Sequence, residues 1–398
     1  MWRQLCRSSV RLLRFSWPTR SLGSSGAKDS RLASVQLQNK DVAMRWNNDR
    51  VTFLPYIFLR DNCQEPESFD QAAKQRVFNP AFVIDLNIKA KHVDMSKDGM
   101  QLCVTWPDGH RSRYSSVWLM EHSQGLPPET PKLPVEKRYW KRDHSVARFN
   151  FKEIINDDND TPLSEFLLQM ESHGLVLVDN VGTESNQIKQ FCNRIAYPKP
   201  CVQGRDVTQV HTKLDDVSPY LNMEMPLCTS LPFYNYTPGV QALHCIQQLS
   251  GKVRFCDGFR IAEEIRETNP SFFQLLTQYP VHYVDSGNDF MDYDIESWHV
   301  PIGLNSSCTV EEIHFNNQAR GSQYVSSLSS RLQEWYEAYY TFSSLTVSPQ
   351  FLVELCLEPG QMVVFDNLRV LHGMPQGCLE MAYLDWDEMR SRARVIMG

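Results

Sequence analysis

The chain carries eleven His and eleven Cys, and their spacing decides which metal or nucleophilic reactions are open to it. An iron oxygenase of the facial-triad type needs His-x-Asp/Glu on one strand and a distant second His. Only His92-Val93-Asp94 has that spacing, and it lies among Lys89, Lys91 and Lys97, a pattern that fits a solvated surface. The run Phe365-Asp-Asn-Leu-Arg-Val-Leu-His-Gly373 is more informative, because a buried-type strand leads through Asp366 and Asn367 to His372. By spacing alone His372 fits a satisfied core histidine as well as a ligand. The cysteines are odd in number and form no C-x-x-C pair, so they read as free and mostly buried thiols of a reducing compartment. There is no Walker loop, dinucleotide-binding glycine fingerprint, G-x-S-x-G elbow or H-E-x-x-H. Phosphoryl transfer, hydride transfer and serine or zinc hydrolysis by the usual routes are therefore disfavoured.

The elements that must position these residues belong to an ordinary globular chain. Its 398 residues are 42% hydrophobic and 22% charged, which exceeds what one core usually holds and points to two domains. A net charge of −7 argues against a nucleic-acid partner, and no apolar run is long enough for a membrane span. Residues 1–34 read as a mitochondrial (matrix) targeting leader. The first 28 residues lack Asp and Glu, Arg3, Arg7, Arg11 and Arg14 share one helical face, and Leu5, Leu12, Leu13, Phe15 and Trp17 surround them. Residues 35–135 read as a small β-rich N-terminal domain. Strands are expected at 35–37, 43–46, 51–54, 56–59, 82–86, 101–106 and 113–115, with a hairpin turn at Pro107-Asp108-Gly109. Pro127, Pro128, Pro131 and Pro134 mark the linker.

Residues 148–398 read as mainly β with helices. Helices are expected at 162–172, 184–195, 261–267 and 328–342, and strands at 175–179, 240–245, 254–256, 281–284, 312–315 and 362–365. Short strands with a few outer helices suggest a sandwich or jelly roll. No internal repeat is evident.

Leu231-Pro-Phe-Tyr-Asn-Tyr-Thr-Pro-Gly-Val-Gln-Ala-Leu-His-Cys-Ile246 resembles the γ-butyrobetaine dioxygenases, with trimethyllysine dioxygenase as the sister family. The resemblance extends through Cys256-Asp-Gly-Phe259, Phe315-Asn-Asn317, Phe365–Gly373 and Ala382-Tyr-Leu-Asp-Trp-Asp387. In the small domain it covers Leu59-Arg-Asp-Asn-Cys63 and Thr105-Trp-Pro-Asp-Gly-His110. It implies a double-stranded β-helix (jelly roll) and, in active members, Fe(II)- and 2-oxoglutarate-dependent hydroxylation in carnitine synthesis.

Against that pattern the departures fall on the chemistry. The family's His-Thr-Asp iron motif corresponds to Cys228-Thr229-Ser230, and of the implied ligands only His372 remains. Gly377 stands where relatives place the arginine that forks onto 2-oxoglutarate. Two aromatic-cage positions are matched by Tyr220 and Tyr383, while Gln203 and Val207 fall where relatives carry Tyr and Trp. Of the family's zinc ligands Cys63 and His110 remain, with Glu65 and Ser68 in the other places, so structural zinc is not expected. The resulting expectation is a non-catalytic relative in which residues 228–230 still lie beside His372. Such a relative would bind a small molecule in the inherited cavity, or form a homodimer or a dimer with an active paralogue. The rival is an active hydroxylase with an unconventional metal site, using Arg369 or Arg390 as a displaced cation for the cosubstrate.

Overall fold

The computed structural model describes residues 31–80, 84–123, 135–202, 207–211, 227–288, 292–323, 329–375 and 377–397. These fall into two compact units, Met1–Thr130 and Pro131–Gly398. Residues 1–30 of the expected leader and most of the proline-rich linker lie outside the described residues, whereas residues 32–34, placed in the leader by sequence, belong to the strand Leu32–Leu37 of the first unit. Among the described residues no helix is long and apolar enough to cross a membrane. The described cysteines are all free, with Cys63, Cys192, Cys228, Cys245, Cys256 and Cys378 buried.

The first unit is built from the same device used twice, which corrects the expectation of no internal repeat. Strands Asp41–Trp46 and Val51–Pro55 form a hairpin that runs directly into helix Tyr56–Asp61. At a constant offset, Gln101–Thr105 and Arg111–Ser115 form a hairpin that runs into helix Ser116–His122. In each copy a tryptophan closes the turn: Trp46 N–H bonds to Arg50 O and Trp106 N–H to His110 O, both at 2.9 Å. Asp49 and Gly109 supply the positive φ that each turn requires, 63° and 86°. Each indole then donates across its hairpin, Trp46 Nε1 to Thr52 Oγ1 at 2.9 Å and Trp106 Nε1 to Ser112 Oγ at 2.8 Å. The repeat is hard to see in sequence because it is carried by backbone turns and one indole–hydroxyl bond, with few shared letters.

Each copy adds a third strand, Leu32–Leu37 or His92–Met95, and the apolar faces share one core with Leu59, Leu102, Tyr114 and Leu119. His92 and Asp94 are exposed on their strand. The expected strand at 56–59 is a helix. Pro55 precedes its first turn, and Tyr56, Leu59 and Arg60 are its buried residues, a helical stripe that overrides the β-type composition. Of the expected strand at 82–86, residues 82 and 83 lie outside the described residues and 84–86 are not strand; a turn follows at 86–87, closed by Ile88 N–H on Asp85 O.

The second unit is a jelly roll with helical support. Its large sheet runs in the order Thr208–His211, Cys378–Leu384, Val240–Cys245, Met362–Asp366, Leu175–Asp179 and Ala147–Asn150, antiparallel except for the last pair. The central strands are apolar on both faces. Val176, Val178, Ala242, Val364 and Leu384 pack outward against helices Thr161–His173 and Gln187–Ile195. Leu177, Leu243, Val363, Phe365 and Met381 point inward against Phe255, Val370 and Leu371 of a second sheet, ordered Val353–Leu355, Val253–Asp257 and Val370–Gly373.

A buried ion pair joins the two sheets at their corner. Arg369, in the turn between Met362–Asp366 and Val370–Gly373, forks Asp257 at 3.1 and 2.8 Å, with neither side chain exposed. Its remaining donors reach Ser172 O at 2.8 Å and Arg138 O at 2.6 Å. Asp257 also caps helix Gly258–Thr268 and accepts Trp140 N–H at 3.0 Å. Removing one partner of such a pair strands the other charge, at a cost of about 3–5 kcal/mol. Asp257→Ala is therefore expected to lower unfolding free energy by about that amount in urea titration, whereas Arg45→Ala, at an exposed pair with Asp49, is expected to leave the midpoint nearly unchanged.

Candidate functional site

The site is assembled where three chain segments meet. Strand Val370–Gly373 pairs along one edge with Val253–Asp257, placing His372 opposite Phe255. Its other edge receives Cys228 as an isolated bridge, with Cys228 N–H on His372 O at 3.0 Å and His372 N–H on Cys228 O at 3.1 Å. Thr229 is fully buried; its hydroxyl donates to Ile313 O at 2.9 Å and its carbonyl accepts Asn316 Nδ2 at 3.1 Å. Asn367 then locks the next residue from both sides, accepting Ser230 N–H at 2.8 Å and donating to Ser230 O at 2.9 Å. Held this way, the chain turns through Leu231 at φ 55°, a conformation that disfavours a side-chain-bearing residue by roughly 1–2 kcal/mol.

The side chains thus brought together are Ser230, His372 and Tyr383, with Cys228 as the backbone neighbour of His372. Ser230 Oγ lies 3.4 Å from His372 Nε2, and the Tyr383 hydroxyl donates to Met381 Sδ at 3.8 Å. Gln241 Nε2 donates to the Tyr383 hydroxyl at 3.3 Å. The Phe365 ring packs 4.7 Å from the imidazole. Burial pulls the His372 pKa down to about 4, so the ring is neutral at pH 7. Burial pushes the Cys228 thiol up to about 12 and raises the Tyr383 phenol. Among the described residues His372 Nδ1 has no hydrogen-bond partner. Val207 is half-buried against the outer helical layer, whereas Tyr220 and Gln203 lie outside the described residues.

A facial-triad iron site needs two imidazoles and a carboxylate. The donors here are one imidazole, a hydroxyl and a thiol, with no second imidazole and no carboxylate. None carries the negative charge that holds a divalent cation, and the set does not fit Fe(II). Among the described residues, no group of three or more His, Cys, Asp or Glu is placed to hold a metal.

At Gly377 a Cβ would press on the tip of the Leu249 side chain, so any side chain there would require Leu249 to move. Neither proposed substitute is available: Arg369 is committed to Asp257, and Arg390 forks Glu171 at 2.8 and 3.0 Å. The roles of Asn367 and Asn316 were not recognised from sequence. Both act by side chain-to-backbone bonds, which leave no periodicity or spacing to detect.

In the small unit Cys63 Sγ and His110 Nε2 lie 3.2 Å apart, and Ser112 donates to the sulfur at 3.0 Å. Glu65 is forked by Arg113 at 2.8 and 2.9 Å, and Ser68 accepts from Arg60 at 3.5 Å. Of the four positions where the resemblance implies zinc, only Cys63 and His110 carry a thiol and an imidazole, while Glu65 is engaged by Arg113 and Ser68 offers a hydroxyl.

Residues 128–375 match the model of the taurine catabolism dioxygenase TauD, TfdA family, and the chain belongs to that family. Residues 33–124 match the γ-butyrobetaine hydroxylase-like N-terminal model. Among curated relatives, a γ-butyrobetaine dioxygenase of Pseudomonas sp. is 32% identical over 92% of this chain and 96% of its own length. The γ-butyrobetaine dioxygenase of Pongo abelii is 28% identical over 88% and 93%. The mitochondrial trimethyllysine dioxygenase of Gallus gallus is 26% identical over 93% and 89%. The family is one of Fe(II)/2-oxoglutarate dioxygenases, and both cofactors are implied by membership.

The expectation that the small unit folds without zinc has a direct test. Exhaustive dialysis of the full chain against a zinc chelator is expected to leave its melting temperature unchanged. A drop of several degrees, reversed by adding zinc, would contradict this account.

Proposed function

We propose that this chain is a non-catalytic, mitochondrial member of the γ-butyrobetaine dioxygenase group. In this reading it keeps the jelly roll and the locked backbone of the iron motif but has lost iron-dependent hydroxylation. The observation that carries the proposal is the donor set itself: a Ser230 hydroxyl at 3.4 Å from His372, with Cys228 paired to His372 and no carboxylate among them. Gly377 supports it independently, because a glycine supplies no guanidinium for the far carboxylate of 2-oxoglutarate. A charge-assisted contact contributes a few kcal/mol, and roughly 1.4 kcal/mol is a factor of ten. Loss of two ligands and the anchor therefore predicts suppression by many orders of magnitude.

The experiment supplies full-length protein with Fe(II), ascorbate, 2-oxoglutarate and either γ-butyrobetaine or trimethyllysine, and follows succinate. The expected outcome is succinate at the level of the no-protein control. Succinate formed above that level and abolished by His372→Ala would overturn the proposal.

Import into mitochondria rests on the acid-free leader with its arginine face, and several trimethyllysine dioxygenase relatives are themselves named mitochondrial. Residues 1–40 fused to a fluorescent reporter are expected to direct it to mitochondria, and the double substitution Arg7→Glu, Arg11→Glu to abolish that. A diffuse cytosolic signal from the native segment would contradict the targeting assignment.

A further inference from the structure

A second cleft, of about 490 Å3, opens in the jelly-roll unit, and His372 does not line it. Its lining includes Lys137, Asp366, Trp386 and Arg390. Lysines elsewhere in this unit sit in ion pairs: Lys141 with Glu264 at 3.1 Å, Lys199 with Asp385 at 2.9 Å and Lys252 with Glu354 at 3.2 Å. Lys137 is different. Half-buried, it makes neither a hydrogen bond nor an ion pair among the described residues. Its Nζ rests instead over Phe259, 4.8 Å from the ring centroid.

An amine placed in this way is poorly held in its charged form. Phe259 is fully buried, and the Arg369 guanidinium lies 5.4 Å from the same ring, so two cations share one aromatic neighbour. Arg369 engages Asp257 and Arg390 is forked by Glu171, so neither of those carboxylates is left to balance Lys137. Burial pulls the Lys137 ammonium below its ordinary value, helped by Arg369 and Arg390 and opposed by Asp366 and Glu171. Asp366 is only 4% exposed, with Leu368 N–H donating to its Oδ1 at 3.0 Å, and burial raises its carboxyl. The cleft therefore holds an amine and a carboxyl group that act on each other electrostatically without forming an ion pair. The surroundings of each favour its neutral form.

A primary amine and a carboxylic acid facing one cavity are the two parts that imine formation needs. We infer that Lys137 is a nucleophilic amine that captures a small aldehyde in this cleft, with Asp366 as the proton relay. The lone pair of the Lys137 nitrogen attacks the carbonyl carbon, and the π pair of the C=O bond moves to oxygen. Asp366 protonates that oxygen, which becomes a hydroxyl and then leaves as water. Each proton that Asp366 gives is returned by the nitrogen, which begins with two hydrogens and ends with none. The net reaction is amine plus aldehyde giving imine plus water, with no oxidant or reductant. Loss of water is the step that needs an acid, so the pair suits an aldehyde rather than an acyl donor. The inference is separate from the lost oxygenase chemistry and stands or falls without it.

Benzaldehyde is the probe. Full-length protein at pH 7 receives it together with sodium cyanoborohydride, which reduces the imine to a stable secondary amine, and the labelled lysines are mapped by mass spectrometry. Lys137 is expected to be labelled at least ten-fold faster than Lys141, Lys152 and Lys252, although Lys152 is exposed and Lys137 half-buried. Without the reductant, ultraviolet absorbance follows the imine itself. Its formation is expected to be at least ten-fold slower in Asp366→Asn and to fall to the rate of a free lysine side chain in Lys137→Arg. An unchanged melting temperature would show that these variants fold. The inference is overturned if Lys137 in the native chain is labelled no faster than Lys152, or if a folded Asp366→Asn or Lys137→Arg protein forms the imine at the native rate.

Discussion

A guanidinium shut away from water has to find all its hydrogen-bond acceptors inside the protein, and the fold around Arg369 is arranged to supply them. Its donors end on Asp257, Ser172 O and Arg138 O, which ties the strand bearing His372 to the opposite strand, to the end of helix Thr161–His173 and to the segment that enters the unit. Because a half-broken buried pair is so costly, this corner constrains the sheets to one register. That register decides which residues face each other across the barrel. His372 sits three positions beyond the clamp, and Asn367 two before it, so the geometry of the site is inherited from the clamp.

The scaffold of the site and its chemistry have separate physical supports. Cys228, Thr229 and Ser230 are held by backbone pairing with His372, by the buried Thr229 hydroxyl and by the two-sided grip of Asn367. None of these bonds depends on whether the side chains at 228 and 230 are ligands. Replacing an imidazole by a thiol and a carboxylate by a hydroxyl therefore leaves the loop in place, while removing the charge on which a cation depends. The small unit follows the same logic, since Arg113–Glu65 and Cys63–His110 contacts connect the positions that the resemblance assigns to zinc.

Much of the jelly roll was legible in the sequence because its central strands are short, apolar and bounded by turn residues. Val240–Cys245 and Leu175–Asp179 fall where expected, and helix Thr161–His173 stops at Gly174, whose φ of 71° favours glycine. The segment 56–59 was misread because aromatic and β-branched residues favour strands locally, and only tertiary burial turns them into a helical stripe. The duplicated hairpin–helix was missed because its signature is a pattern of turns. At the site, the altered residues were visible as letters in a motif. The locks made by Asn367 and Asn316 and the packing of Leu249 against Gly377 depend on three-dimensional neighbours and left no trace in the order of residues.

The central claim is that the residues at 228, 230 and 372 do not hold iron although the backbone still presents them together. The most direct measurement is an anaerobic calorimetric titration of Fe(II) into the full chain and into a Cys228→His, Ser230→Asp double variant. The account predicts no saturable site in the native chain and one Fe(II) per molecule in the double variant, lost again when His372→Ala is added. A micromolar Fe(II) site in the native chain that disappears with His372→Ala would contradict it.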